Sequence, residues 1–360
     1  MSIRLYTVII TNLLNLVIVF ACPLASQTGV QTSTIMDSLG RRVKVSAEIK
    51  RIACMYAFTG HVVAMLGRAD DIVAVSNGLK RDVLLSTMYP AFRKALVPKF
   101  QGAVNIEELA RAKPDIVFVG VDTGGNKAEA AKLDACGLTW LAIDFHSMQE
   151  QRQAVALIGR AIGASDKAAA YNDYYNKCIA RAGSAVAATP HEKRTSIYHA
   201  TVEPTRTSTR DSLPADWIRA AGVVNVAARE QGLLDQNHQI GIEQIILWNP
   251  EVILVNEPGV AEQIMKDPKW AAISAVEKGR VYQLPIGISR WGHPGSLETP
   301  LAILWTAKIV YPDQFRDLDM KAETSRFYKD FFNYTLSDHM TIQILEGKGM
   351  RLTKNRKKRQ

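Results

Sequence analysis

The stretch NIEELARAKPDIVFVG, Asn105 to Gly120, returns in altered letters as GIEQIILWNPEVILVN, Gly241 to Asn256. Each copy starts with Ile-Glu, runs on with helical spacing, meets a proline and then an acidic residue, and closes on a Val/Ile-rich run. That last run does not alternate with polar residues, so it reads as a strand buried on both faces. A helix leading into such a strand is one step of a parallel α/β sheet. The two copies lie too far apart for a solenoid repeat, so duplication of an α/β lobe is the simpler account. Glu107 and Glu243 fall at the same place in the two copies. A carboxylate there, ahead of the helix body, is favoured by the positive end of the helix dipole.

The alternation continues on both sides. TIMDSLGRRVKVSA holds two strand-like runs around Ser38-Leu39-Gly40, a hairpin signal. RIACMY, DIVAVS and TWLAID read as strands, and GHVVAMLG and AEAAKLDACG as helices, the second stopped by glycine. This first lobe ends near Gly163. ASDKAAAYNDYYNKCIARAGSAVAATP follows, with Ser165 or Asp166 as cap and Ala187 to Pro190 as stop. About 22 helical residues make a rod of roughly 33 Å, long enough to bridge two lobes. Beyond Pro190, TSIYHA, VVNVAA, EVILVN and KGRVYQLP read as strands and PADWIRAAG as a helix. TPLAILWTAKIVYP reads as an amphipathic helix stopped by Pro312, with two further helices after it.

The N-terminus, MSIRLYTVIITNLLNLVIVFACPLASQTG, has a basic start at Arg4, an apolar centre and small residues from Ala21 to Ser26. It reads as a secretory signal peptide, too short and too interrupted by Asn12 and Asn15 for a membrane span. Val19 to Cys22 is loosely a lipobox, with Phe20 a poor fit. Cleavage after Ser26 leaves Cys54, Cys136 and Cys178, an odd number without metal spacing, and leaves a Cys54–Cys136 disulfide open. The 360 residues, 47% of them apolar, supply material for two cores. The formal charge of +9 favours anionic partners. Part of it sits in the tail RLTKNRKKRQ, and no basic stripe interleaved with aromatics accompanies it, so nucleic acid is not expected as a partner.

Enzyme motifs are missing. VGVDTGGNKAEA lacks the Lys-Ser or Lys-Thr of a phosphate loop, and no GxGxxG, GxSxG or HExxH occurs. His146 follows one strand, His199 ends another and His293 lies in a loop, so these three could converge on a bare transition metal. The loops after the strands carry Tyr56, Lys80, Arg81, Arg206, Arg210, Arg290 and Trp291. Aromatic planes beside cationic donors suit a multiply oxygenated anion.

Taken in order, MDSLGRRVKVSAEIKRIACMYAFTGHVVAMLGRADDIVAVS, the two repeated segments and WGHPGSLETPLAILWTAKIVYPDQF resemble the periplasmic binding proteins of iron–siderophore, haem and cobalamin ABC importers. The resemblance spans Met36 to Phe332. It implies an α/β fold of two doubly wound lobes joined by one long helix, with the ligand cleft between the lobes. The expected division is 1–26 signal peptide, 27–164 N-terminal lobe, 165–188 connecting helix, 189–350 C-terminal lobe with terminal helices, and 351–360 basic tail. The resemblance also implies a periplasmic receptor and not an enzyme, monomeric and without a cofactor. Its ligand would be an anionic metal chelate, with a ferric siderophore or other iron compound expected. Glu107 and Glu243 would form salt bridges to a membrane permease, and through it serve the importer's ATPase. The alternatives are a nickel or zinc receptor using His146, His199 and His293, or a secreted α/β enzyme.

Overall fold

The repeated segments form the same unit twice. The computed structural model describes residues 31–100, 103–208, 210–229 and 238–348. The signal-peptide, lipobox and basic-tail readings lie outside them. A hairpin of β1 (Thr32–Met36) and β2 (Arg42–Ser46) comes first, turning through Gly40 at φ +75°. The N-terminal lobe then builds β3 (Ile52–Cys54), β4 (Ile72–Val75), a small antiparallel ribbon β5 (Lys99–Phe100) and β6 (Ala103–Val104), β7 (Ile116–Gly120) and β8 (Trp140–Ile143). Its four-stranded sheet is parallel, in the order β4-β3-β7-β8. The C-terminal lobe builds β9 (Ser196–Ala200), β10 (Val224–Asn225), β11 (Val252–Val255) and β12 (Val281–Gln283), also parallel, in the order β10-β9-β11-β12. Both sheets therefore run second-first-third-fourth, as a duplicated lobe requires. VVNVAA yields only the two residues of β10 before a 3-10 turn.

The repeat shows which of its acids the fold uses. The helices Ile106–Arg111 and Ile242–Trp248 each end ahead of a proline, whose ring disfavours a helical residue before it. The chain passes through a left-handed residue at the same place in both copies, Lys113 (φ +46°) and Asn249 (φ +43°). The acidic residue after the proline then grips the start of the lobe's first strand. Asp115 Oδ2 accepts from the backbone N–H of Lys50 (2.7 Å) and Arg51 (2.8 Å). Glu251 Oε2 accepts from the backbone N–H (2.8 Å) and hydroxyl (3.2 Å) of Ser196. These bonds sit where third and first strands pair, Ile116 against Ile52 and Val252 against Ile197.

The long helix runs Ser165–Val186, and Ala164 precedes it without a side-chain cap, so neither Ser165 nor Asp166 caps it. Asp166 lies in the first turn, where it still favours the dipole. Its inner face, Ala168, Tyr171, Tyr175, Cys178, Ala182 and Val186, has the three-to-four spacing of one buried stripe. The Tyr171 hydroxyl donates to the Leu297 carbonyl (2.7 Å), and the Tyr175 hydroxyl to Gln151 Oε1 (2.9 Å). Gln151 Nε2 donates in turn to the Ser296 carbonyl (2.9 Å). The helix Thr299–Val310 packs on this rod and is buried almost all round, not amphipathic. The helix Met320–Phe332 returns to the N-terminal lobe, where the Tyr89 hydroxyl donates to the Phe332 carbonyl at 2.7 Å. One apolar core thus runs from Ile52 and Phe118 through the rod to Ile197 and Val252. Cys54, Cys136 and Cys178 are all free thiols, so Cys54 and Cys136 do not pair.

Asp115→Ala should destabilise the protein by about 1–2 kcal/mol, the cost of two backbone bonds lost at one strand start. Glu107→Ala, on the exposed side of the preceding helix, should stay within about 0.5 kcal/mol of wild type. Urea unfolding of both variants checks the difference; equal losses would show that the two acids share the structural task.

Candidate functional site

In an open parallel sheet the ligand crevice lies at the carboxyl ends of the strands, where the chain order reverses. Here that point falls between β3 and β7 in one lobe and between β9 and β11 in the other. A cleft of about 1170 Å³ is lined from both lobes. Gly78 and Arg81 come from the N-terminal lobe; Glu203, Thr205, Glu257 and Arg290 come from the C-terminal lobe.

Arg81 owes its place to the short helix Asn77–Lys80. Leu79 fills a notch over Gly60, where a Cβ would stand 2.3 Å from the leucine's Cδ1. The Lys80 ammonium donates to the carbonyls of Phe92 (3.2 Å), Arg93 (2.6 Å) and Ala95 (2.6 Å). All three of its protons are committed to the fold, and burial lowers its pKa. Arg81, next in the chain, is exposed to the cleft.

Across the cleft, Arg290 pairs with Glu257, which follows β11 by two residues. The loop that presents Arg290 is fixed from behind by Glu298. This fully buried carboxylate accepts from the backbone N–H of Ile288 (3.0 Å) and of Ser289 (2.9 Å), the Ser289 hydroxyl (2.9 Å) and the Tyr328 hydroxyl. Burial raises the Glu298 pKa, and its donors oppose that rise. Gly287 lies against both Glu298 and Tyr328 and has no room for a Cβ.

A second buried network braces the end of β9. Asn256 Nδ2 donates to the Trp291 carbonyl (2.9 Å), leaving Asn256 Oδ1 to accept from His199 Nε2 at 2.7 Å. The His199 proton therefore sits on Nε2, and Nδ1 accepts from the Ser208 hydroxyl (3.4 Å). Burial pulls this imidazole down to about 4, against the opposing bond to Asn256. His199 is a neutral strut.

The structure sorts the residues expected at the site. Arg81 and Arg290 line the cleft. Tyr56 precedes the helix Ala57–Met65 just beyond β3 without a side-chain cap, its ring 6.0 Å from Phe58 and 6.4 Å from Phe145. Burial, then the carboxylates of Asp144 and Asp122, push its phenol up to about 12. Arg206 lies in the loop beside Glu203, where its carbonyl accepts from the Thr201 N–H (2.8 Å). The exposed Arg210 donates from Nε to the Ala228 carbonyl at 3.0 Å. Trp291 is fully buried in the apolar core that includes both lobes and does not line the cleft. Next to it Gly292 (φ +71°) leaves room for Trp217, whose Nε1 donates to the Gly292 carbonyl at 2.8 Å.

The three histidines are engaged separately. His146 is exposed and pairs with Asp144 (3.1 Å), His199 is spent as described, and His293 Nδ1 accepts from the Gly295 N–H at 3.2 Å. Among the described residues no three His, Cys, Asp or Glu side chains group so as to hold a metal ion. Sequence reasoning missed Asn256, Glu257 and Glu298. Asn256 and Glu257 directly follow EVILV, so the switch-point rule could have found them; Glu298 has no such local signal. Glu107 and Glu243 are both exposed and form no ion pair among the described residues.

A family model described as a periplasmic binding protein matches residues 52–286. The chain is 26% identical over 348 residues to the molybdate-binding protein MolA of Haemophilus influenzae, covering 88% of this chain and 95% of that protein. The structure of MolA bound to molybdate aligns with a TM-score of 0.75 at 23% identity, over 85% of this chain and 99% of that one. A periplasmic solute binding protein of Veillonella parvula aligns with a TM-score of 0.76 at 24% identity, over 88% and 97%. Helicobacter pylori CeuE in its nickel–histidine complex aligns with a TM-score of 0.70 at 20% identity, over 88% and 99%.

His199 generates a pH test. Unfolded, its pKa is about 6.5; folded, about 4. Between these values the unfolded chain binds a proton that the folded chain refuses, so stability falls as pH falls. The contribution is complete above about pH 6.5 and up to about 3 kcal/mol is lost by pH 4. His199→Gln should flatten the pH slope of the unfolding free energy in this window; an unchanged slope would place the titration elsewhere.

Proposed function

The chain belongs to the family of periplasmic binding proteins of ABC transporters, and on that premise we propose that its cleft captures an anionic, oxygen-rich metal chelate of the ferric siderophore class for delivery to a permease. The observation that carries this reading is the cleft itself, about 1170 Å³ with one guanidinium from each lobe, Arg81 and Arg290. That volume lies just above the usual range of about 300–1,000 Å³ for small-molecule sites and far exceeds a single tetrahedral oxyanion. A guanidinium offers two parallel donors to chelate oxygens, and among the described residues Arg81 makes none of the carbonyl bonds that hold Lys80, whereas Arg290 is already paired with Glu257. Capture needs no covalent chemistry. The shared core along the rod favours small lobe movements on binding.

A second reading, a bare molybdate-type oxyanion, is favoured by the 26% identity to MolA. Titration of intrinsic tryptophan fluorescence with ferric catecholate and hydroxamate chelates, molybdate and nickel–histidine separates the two. Tight binding of a ferric chelate, weakened about tenfold (about 1.4 kcal/mol) in Arg81→Ala, is expected. Response to molybdate alone would replace the first reading with the second. Silence towards every member of the panel would overturn both.

Delivery is assigned to Glu107 and Glu243. The fold spends the second acid of each repeat, Asp115 and Glu251, on strand starts, and leaves Glu107 and Glu243 exposed. Two equivalent carboxylates, one per lobe, suit a partner with paired cations. Glu107→Arg with Glu243→Arg should abolish uptake in cells while ligand affinity stays within about threefold, under about 0.7 kcal/mol. Loss of ligand binding in that double variant would give the glutamates a role in holding the lobes.

A further inference from the structure

The two glutamate-bearing helices are equivalent in place but not in surface chemistry. On a helix, residues three and four positions after a glutamate lie beside it. On Ile106–Arg111 these neighbours of Glu107 are Ala110 and Arg111; on Ile242–Trp248 the neighbours of Glu243 are Ile246 and Leu247. Arg111 is exposed, at a spacing where a cation partly offsets the glutamate's charge. Glu243 has no cation on its helix. Ile246 is 39% exposed and Leu247 76% exposed, the latter the most exposed large apolar side chain among the described residues. Ile245, between them and Glu243, is fully buried and anchors the helix to the lobe, while neither Ile246 nor Leu247 belongs to the apolar cluster it packs in.

We propose that the helix Ile242–Trp248 is the dominant foot of the receptor on its permease, and that it fits an apolar recess flanked by a cation. This rests on the docking reading of Glu107 and Glu243. Covering Ile246 and Leu247 removes apolar surface from water and excludes water around the Glu243–cation pair, which strengthens that pair. The helix Ile106–Arg111 makes a solvated contact instead, with Arg111 complementary to an acidic group. Two chemically unlike feet also forbid docking end for end, because reversal would set Arg111 against the apolar recess. A second copy of the chain is the weaker occupant. Two side chains cover far less than the roughly 800 Å² per partner of a stable interface, whereas the permease contact adds a second foot.

The test is binding of the full chain to the cognate permease–ATPase complex in nanodiscs, read by biolayer interferometry. Leu247→Gln should weaken binding about tenfold and Ala110→Gln less than twofold, with melting temperature and ligand affinity unchanged. Glu243→Gln should cost more than Glu107→Gln, and the Glu243 effect should depend less on salt. Normal binding by Leu247→Gln, or equal losses from the two glutamine variants, overturns the proposal. Normal binding by Glu107→Arg with Glu243→Arg would instead bring down the docking reading beneath it. A dimer in sedimentation velocity that Leu247→Gln dissolves would assign the patch to a second copy, and would also overturn the proposal.

Discussion

The interaction on which the rest depends is a carboxylate closing two backbone N–H groups, or an N–H and a hydroxyl, at the start of each lobe's first strand. Asp115 does this in one lobe and Glu251 in the other. A parallel pair has no tight turn to set its register, because a long crossover separates the strands. The acid supplies that register locally. It sits at the foot of the third strand and holds the foot of the first, so the switch point at the opposite end of the same strands opens at a defined place. The cleft follows from the strand order, and these two side chains tie the first and third strands together at its base.

Above that base, the site is supported by buried polar groups that do not touch the cleft. Glu298 orients the loop that presents Arg290, and His199 with Asn256 ties the end of β9 to the Trp291 carbonyl. Each group is costly to bury alone and acceptable only because its partners are nearly complete. That expense makes sense where a guanidinium must be held at a fixed position over an opening. Lys80 illustrates the same economy in the opposite direction: a cation next to the cleft is consumed in holding its own loop, leaving its neighbour Arg81 to face outward.

Much of the fold was legible. The repeated helix–Pro–acid–strand segment predicted both third strands, and the Ala-rich run predicted the rod with its observed length. The misreadings have physical causes. Ser165 and Asp166 are good cap residues by type, yet the helix begins at Ser165 itself, which places both inside its first turn. The helix Thr299–Val310 carries enough polar residues to look amphipathic, but it lies between the rod and its neighbours and is buried on nearly every side. Trp291 follows an arginine in a loop, and only its neighbours show that the loop turns it into the core.

The sequence by itself determined the lobes, their duplication and the two glutamates that stand outside the packing, because backbone periodicity and a repeated local motif need no distant partner to be recognised. Tertiary structure decided which of the cationic and aromatic loop residues face the cleft. A strand-end loop places a side chain near the crevice, but whether it points inward depends on carbonyls, carboxylates and rings brought from remote parts of the chain. Phe92, Arg93 and Ala95 claim Lys80, and Glu298 positions Arg290's loop. Those partners are chosen by packing in three dimensions, and nothing in the spacing of residues along the chain encodes them.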